Sequence, residues 1–183
     1  MGTKNVYREI EPGHKRFKVA IIRIALFVLG RAFQSAARVD KQIKREIEEW
    51  PEGFSLMIQV LPNGPRMALA KDERGHLRYR RRQAGGLNED KADLNVFFKN
   101  IECAFLLFSV QISTAQAYAE HRISVKGELP MAMALVRCIN IVETYLLPGP
   151  VARRMVKRLP SIPAVQRYAV RLLIYVLGIP LGI

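Results

Sequence analysis

The chain holds three histidines, two cysteines and 16 carboxylates, and their spacing limits the chemistry open to them. His14, His76 and His121 fall in separate segments. None has a Cys or carboxylate set at ligand spacing beside it, so no metal site is expected. Cys103 and Cys138 lie in two different apolar runs. That is the setting of reduced core thiols, and it fits a reducing cytoplasm better than a disulfide framework. Glu89, Asp90 and Asp93 cluster at a loop-to-strand junction, where turn chemistry accounts for them. His121, between Glu120 and Arg122, reads as a helix end, where the dipole favours a cation. The chain has no nucleophile elbow, no phosphate-cradling glycine loop and no zinc-protease motif. No catalytic residue, metal ligand or cofactor is expected.

The cations are more informative. The formal charge is +13, yet half of the 183 residues are hydrophobic. A basic nucleic-acid module dilutes its apolar content to gain charge. Here the basic residues sit beside the most apolar runs, which points first to an anionic membrane surface. Arg16, Arg23, Arg31 and Arg38 are spaced 7, 8 and 7 apart, close to one line on a helix whose remaining arc is apolar. After Glu143 no acid occurs, while Arg153, Arg154, Lys157, Arg158, Arg167 and Arg171 follow. Nucleic acid is disfavoured as a partner, because these clusters interleave with Leu, Ile and Val rather than with stacking aromatics. The run Arg78–Arg82 reads as a charged strand edge that discourages aggregation.

These residues need elements to position them. Residues 1–13 are polar and are expected to form a loose arm or a short surface helix, and a helix is predicted from Lys15 to about Glu49. Trp50-Pro51-Glu52-Gly53 breaks it. Alternation then predicts strands over Phe54–Val60, Arg66–Lys71, His76–Arg82, Ala92–Phe98 and Ile123–Lys126. Pro62-Asn63-Gly64-Pro65 and Asp72–Gly75 are turns. A helix is predicted over Ile101–Ala119 and another from about Leu129 to Leu146, with Pro130 in its first turn. Pro160 and Pro163 divide the C-terminal stretch into two short helices, the second over Ala164–Leu177. The organisation expected is a basic amphipathic helix (1–44), a central domain (45–147) and a basic, apolar extension (148–183).

Neither apolar end is expected to span a bilayer. The run Val19–Gly30 has 12 residues and contains Arg23. It reaches about 18 Å, against a hydrocarbon core of roughly 30 Å. An arginine within a span costs about 2.5 kcal/mol or more, a cost avoided by lying in the interface. Packing on the domain or on a partner subunit is the competing reading for this helix. No secretory pattern is expected at the N-terminus. Val6 stands where a myristoylation pattern needs Ser or Thr.

The segment Arg122-Ile-Ser-Val-Lys-Gly-Glu-Leu-Pro-Met-Ala-Met-Ala-Leu-Val136 is a strand, a glycine break and an apolar helix. With Phe54–Pro65 upstream, it resembles the sterol carrier protein 2 family of lipid-binding domains over residues 45–147. The resemblance implies an α+β fold: a five-stranded, largely antiparallel sheet covered on one face by helices. It also implies a non-catalytic role, non-covalent binding of a hydrophobic lipid between sheet and helices. Phe97, Phe105, Phe108, Met131, Leu135, Val136 and Ile139 are the expected wall. A core filled by its own side chains remains the alternative. Isoprenoid quinone precursors are cargo by resemblance, with sterol-like and acyl lipids open. The expected partners are that lipid and an anionic membrane, with the protein peripheral on its cytoplasmic face. An accessory subunit docked on a membrane-bound enzyme complex is the alternative.

Overall fold

The computed structural model describes residues 15–80, 92–147 and 164–181 and, in the last stretch, the side chains of 168–176 and 178–180. Helices α1 (Arg16–Val39) and α2 (Lys41–Glu48) lead into strands β1 (Ser55–Val60), β2 (Arg66–Lys71), β3 (Leu77–Arg80) and β4 (Leu94–Phe98). Then come α3 (Ile101–Phe108), α4 (Thr114–Ala119), β5 (Ile123–Lys126), α5 (Leu129–Leu146) and α6 (Ala164–Leu173). A π-helical turn (Ile174–Gly178) and a last helical turn (Ile179–Leu181) follow α6.

The fold is α+β. Five strands form one sheet in the order β3-β2-β1-β4-β5. All neighbours are antiparallel except β1 and β4, which run parallel with Leu56 opposite Leu94 and Val60 opposite Phe98. Asp93 fastens that parallel pair. Its Oδ2 accepts from both the Ser55 N–H and the Ser55 hydroxyl at 2.8 Å. Alternation sends Leu56, Ile58, Val60, Met67, Leu69, Leu94 and Phe98 to the helix-covered face. On the other face Ser55, Met57, Gln59, Ala68, Ala70 and Asn95 are also buried. The first strand therefore sits between two covered faces, not at a half-exposed surface.

The predicted single helix over 15–49 is two helices. Asp40 is extended, and its Oδ1 accepts from Gln42 N–H (2.8 Å) and Ile43 N–H (3.0 Å). A side chain that caps a new first turn ends the old helix. Lys71 closes the far end of α2, donating to the carbonyls of Ile47 (2.9 Å) and Trp50 (2.6 Å). The predicted helix over 101–119 is also two. Val110, with φ at 62°, separates α3 from α4. His121 ends α4 in the left-handed region, with its N–H on the Tyr118 carbonyl and the Arg122 N–H on Ala117. This is the Schellman arrangement. Gly127 (φ 140°) is required after β5, because a Cβ there would lie 2.6 Å from the Asp93 carbonyl oxygen.

The core runs through α1. Ile22, Leu26, Ala32, Phe33 and Ala36 belong to one buried cluster with the sheet residues, Trp50 and α5. By length and composition α1 and α5 could each cross a membrane. Half of the apolar window in α1 is buried within the protein, as in the central helix of a folded domain. Gln34 accepts the Tyr79 N–H at 2.9 Å, so α1 also satisfies a donor of the edge strand β3.

Candidate functional site

The first half of α1 has two unlike sides. Ile22 and Leu26 are buried, while Arg16, Phe17, Ala20, Arg23 and Ile24 face solvent. At 100° per residue those five fall within about 120° of arc. Phe17 is 76% exposed and Ile24 63%. The arginine line of the sequence is thus divided. Arg16 and Arg23 lie on the open surface, whereas Arg31 and Arg38 are half-buried. Lys15 and Lys18 both pair with Glu102 in the first turn of α3, which holds this end of α1 to the domain.

Between α1, the β1–β2 turn and β3 lies a groove of about 450 Å³ lined by Arg23, Ile24, Phe27, Gly64, Pro65, Arg66 and Tyr79. Its aromatic wall is built by close packing. Phe27 and Tyr79 meet edge-to-face with centroids 5.8 Å apart. The Arg31 guanidinium lies over both rings, at 5.8 and 5.9 Å. Gly30 permits this, since a Cβ there would lie 2.4 Å from Tyr79 Cδ2. A second depression of about 340 Å³ runs along Lys15, Arg16, Val19, Ala20 and Arg23. Arg23 is common to both.

The seven expected wall residues do not form one surface. Leu135 is buried in the core, and Phe105, Phe108, Met131 and Ile139 pack half-buried against it. Val136 is 38% exposed. Phe97 alternates with core-facing Val96 and Phe98, and its strand partners are Gln59 and Ser124. It therefore stands on the sheet face opposite the others. Phe108 meets Phe98 with ring centroids 5.7 Å apart, at one end of β4. Gly127, just before α5, passes Leu94 at the other end. Four residue steps, roughly 13 Å, separate those ends.

Among the described residues no group of three or more His, Cys, Asp or Glu is placed to hold a metal ion. Cys103 and Cys138 are free and buried, and burial pushes the Cys138 thiol up to about 12. A thiol so poorly ionised is a weak nucleophile. Asp72, beside Arg78 at 2.7 Å, is held down to about 2, as a surface ion pair at the β2–β3 turn.

No protein-family model matches the chain, and no curated protein is significantly similar to it. Solved structures do resemble it. The sterol carrier protein domain 2 of Helicoverpa armigera is 19% identical over 84% of this chain and 100% of that one, with a TM-score of 0.39. The ubiquinone synthesis protein UbiJ-SCP2 is 17% identical over 70% and 98%, with a TM-score of 0.41. Sterol carrier protein 2 from Yarrowia lipolytica, in its apo form, is 15% identical over 72% and 94%, with a TM-score of 0.36. At these identities and TM-scores the likeness is one of outline and carries nothing about ligand or activity.

The described part of the C-terminal extension, from α6 onward, is docked inward. Val170 and Ile174 are buried in the common core, each worth about 1.5–3 kcal/mol if fully buried. Gly178 packs on α1, where a Cβ would meet Ser35 Oγ at 2.6 Å. Arg171, expected at a membrane surface, is instead turned to the end of α5. Its Nε donates to the Tyr145 carbonyl (2.8 Å), and Nη2 donates to those of Thr144 (3.3 Å) and Leu147. Unsatisfied carbonyls at a helix C-terminus attract a guanidinium more strongly than solvent does. The outer side of this helix keeps Tyr168, Leu172, Tyr175 and Val176 exposed. Arg153, Arg154, Lys157 and Arg158 lie outside the described residues, as does the side chain of Arg167. Sequence reasoning missed Arg66 and Tyr79, which it placed only as strand residues. The signal was the adjacent Gly64-Pro65 turn, which brings a loop backbone close to a helix.

Proposed function

We propose that the chain is a non-catalytic lipid-binding protein held at the surface of an anionic membrane, on the cytoplasmic side. The observation that carries this is the open face of α1. Phe17 and Ile24 are far more exposed than a folded domain needs to leave them, and Arg16 and Arg23 flank them. Aliphatic and aromatic side chains in an interface, with guanidinium groups at headgroup level, suit that setting. The bound lipid is a hydrophobic one, an isoprenoid quinone precursor, sterol-like or acyl lipid. Phe105, Phe108, Met131 and Ile139 are half-buried at the margin of the core, and in this reading they are the side chains that give way to it.

A second reading has its own observation. Leu129, Met133 and Val136 are exposed along α5, and the nearby Arg137 is already committed to Glu46 at 2.6 Å. An apolar stripe with its cation neutralised suits a protein partner, such as a subunit of a membrane enzyme complex. Native mass spectrometry of protein purified from its own cells separates the two. Co-purifying lipid near one per chain, with flotation on anionic but not zwitterionic vesicles, is the expected result. A ligand-free chain in a stable hetero-complex, indifferent to vesicles, would falsify the lipid reading.

A further inference from the structure

We infer that the groove between α1, the β1–β2 turn and β3 is a binding site for the phosphate headgroup of an anionic membrane lipid, separate from the core margin proposed above for the hydrophobic lipid. It rests on the membrane-surface reading only for the source of its ligand. Among the described residues the lining includes two arginines, Arg23 and Arg66, and no acid. A third guanidinium, that of Arg31, lies behind the aromatic wall on Phe27 and Tyr79. Among the described residues none of these three arginines has a carboxylate partner, although Lys15, Lys18, Arg78, Arg122 and Arg137 all have one. The Nε of Arg31 is buried without a hydrogen-bond partner. Two unneutralised guanidinium groups lining one concavity, with the charge of Arg31 next to its aromatic wall, favour a polyanionic oxygen cluster, and guanidinium pairs with phosphate through two parallel hydrogen bonds.

The remaining lining selects an amphiphile over a free anion. Ile24, Phe27, Pro65 and Tyr79 offer an apolar surface, and Gly64 lets the turn backbone approach. About 450 Å³ lies within the range of small-ligand sites. It accommodates a phosphate with its glycerol and the first methylenes of the acyl chains. Ile24 belongs both to this groove and to the exposed face of α1. A lipid in the groove would therefore have its chains directed to the same side as Phe17, and it would fix the orientation of the domain on the bilayer.

The test uses the whole chain and monodisperse dihexanoyl phosphatidate, with dihexanoyl phosphatidylcholine and inorganic phosphate alongside. Binding is read from amide shifts of Gly64 and Tyr79. The expected result is that phosphatidate moves both amides, binding about tenfold or more tighter than either control. Arg23→Gln with Arg66→Gln should weaken it by about tenfold or more, with an unchanged melting temperature. Arg16→Gln removes one charge from the same helix outside the groove and should change it little. Three results overturn the inference: phosphatidate binding that survives the double substitution, an equal loss with Arg16→Gln, or inorganic phosphate binding as tightly as phosphatidate. If those shifts vanish while vesicle flotation persists, the groove assignment fails and the membrane reading stands. If the shifts hold and flotation is absent, the reverse is true.

Discussion

Asp40 carries two duties with one carboxylate. Oδ1 caps α2, and Oδ2 accepts the Tyr145 hydroxyl at 2.6 Å across 105 residues of sequence. Burial, then the hydrogen bond to Asp40, raises the Tyr145 hydroxyl above its ordinary range, so it stays a donor at any physiological pH. Asp40→Ala loses a cap worth about 1 kcal/mol and strands a buried hydroxyl at about 1–3 kcal/mol. Urea unfolding should show a loss of about 2–4 kcal/mol, against about 1–3 for Tyr145→Phe. Additive losses in the double variant would mean that the two side chains do not interact. Glu143 is the opposite case. Its Oε2 is buried with no hydrogen bond, and burial alone lifts the carboxyl from 4.5 to about 7. Between those values the native state keeps a proton that the unfolded chain has released. Stability therefore falls as pH rises from about 4.5 to 7 and is level above it. Glu143→Gln should be more stable than the parent at pH 8, by on the order of 3 kcal/mol at roughly 1.4 kcal/mol per unit. The gain should disappear below pH 4.5, and an equal gain at pH 4 and pH 8 would show that ionisation is not its cause. Neither residue was legible as a site in the sequence. In the sequence Asp40 is only the first acid after Glu11 and Glu143 only the last acid of the chain; the contact of Asp40 with Tyr145 across 105 residues leaves no local pattern.

Elements were more legible where one local rule governed them. α5 occupies the predicted residues, since Pro130 marks its start and an apolar run without a competing cap continues it. The strands β2 and β5 also match, because alternation bounded by turn residues admits little else. Of the two helices that broke, one did so at the single residue Asp40 and the other over residues 109–113, with Val110 in the left-handed region, against a periodicity that continued through them. The C-terminal helix shows how tertiary contacts override composition. Its basic, apolar sequence suits a bilayer, yet the carbonyls at the end of α5 lie within reach and hold Arg171. Arg171→Gln should cost about 1–3 kcal/mol, the value of charge-assisted hydrogen bonds left unmade. Hydrogen exchange should accelerate at Thr144–Leu147 and at Val170–Ile174 together, while the sheet stays protected. Acceleration confined to α6 would show that α5 keeps its C-terminal turn without the arginine.

At the scale of the whole molecule, charge and apolar exposure act together. The charge of +13 gives long-range attraction to any polyanion. Phe17 and Ile24 act only on contact with something that can bury them. The sequence showed both ingredients but not their division. It could not say which arginines of a helical line stay outside, because that depends on where β3 meets α1. The division makes a two-way test possible. Raising salt from 0.1 M to 1 M shortens the screening length from about 10 Å to about 3 Å. That should weaken flotation on anionic vesicles strongly, since each basic residue near the surface contributes about 1 kcal/mol. Phe17→Ser with Ile24→Ser should weaken flotation at 0.1 M by on the order of thirtyfold, taking about 1 kcal/mol for each side chain partly buried in the interface. The pair should also abolish whatever binding survives at 1 M. A nucleic-acid binder with the same charge would lose everything to salt and nothing to the serine substitutions. That outcome would transfer the cationic face from lipid to nucleic acid. Persistence of flotation in the double serine variant at high salt would instead place the membrane contact on the exposed side of the C-terminal helix, where Leu172 and Val176 stand open.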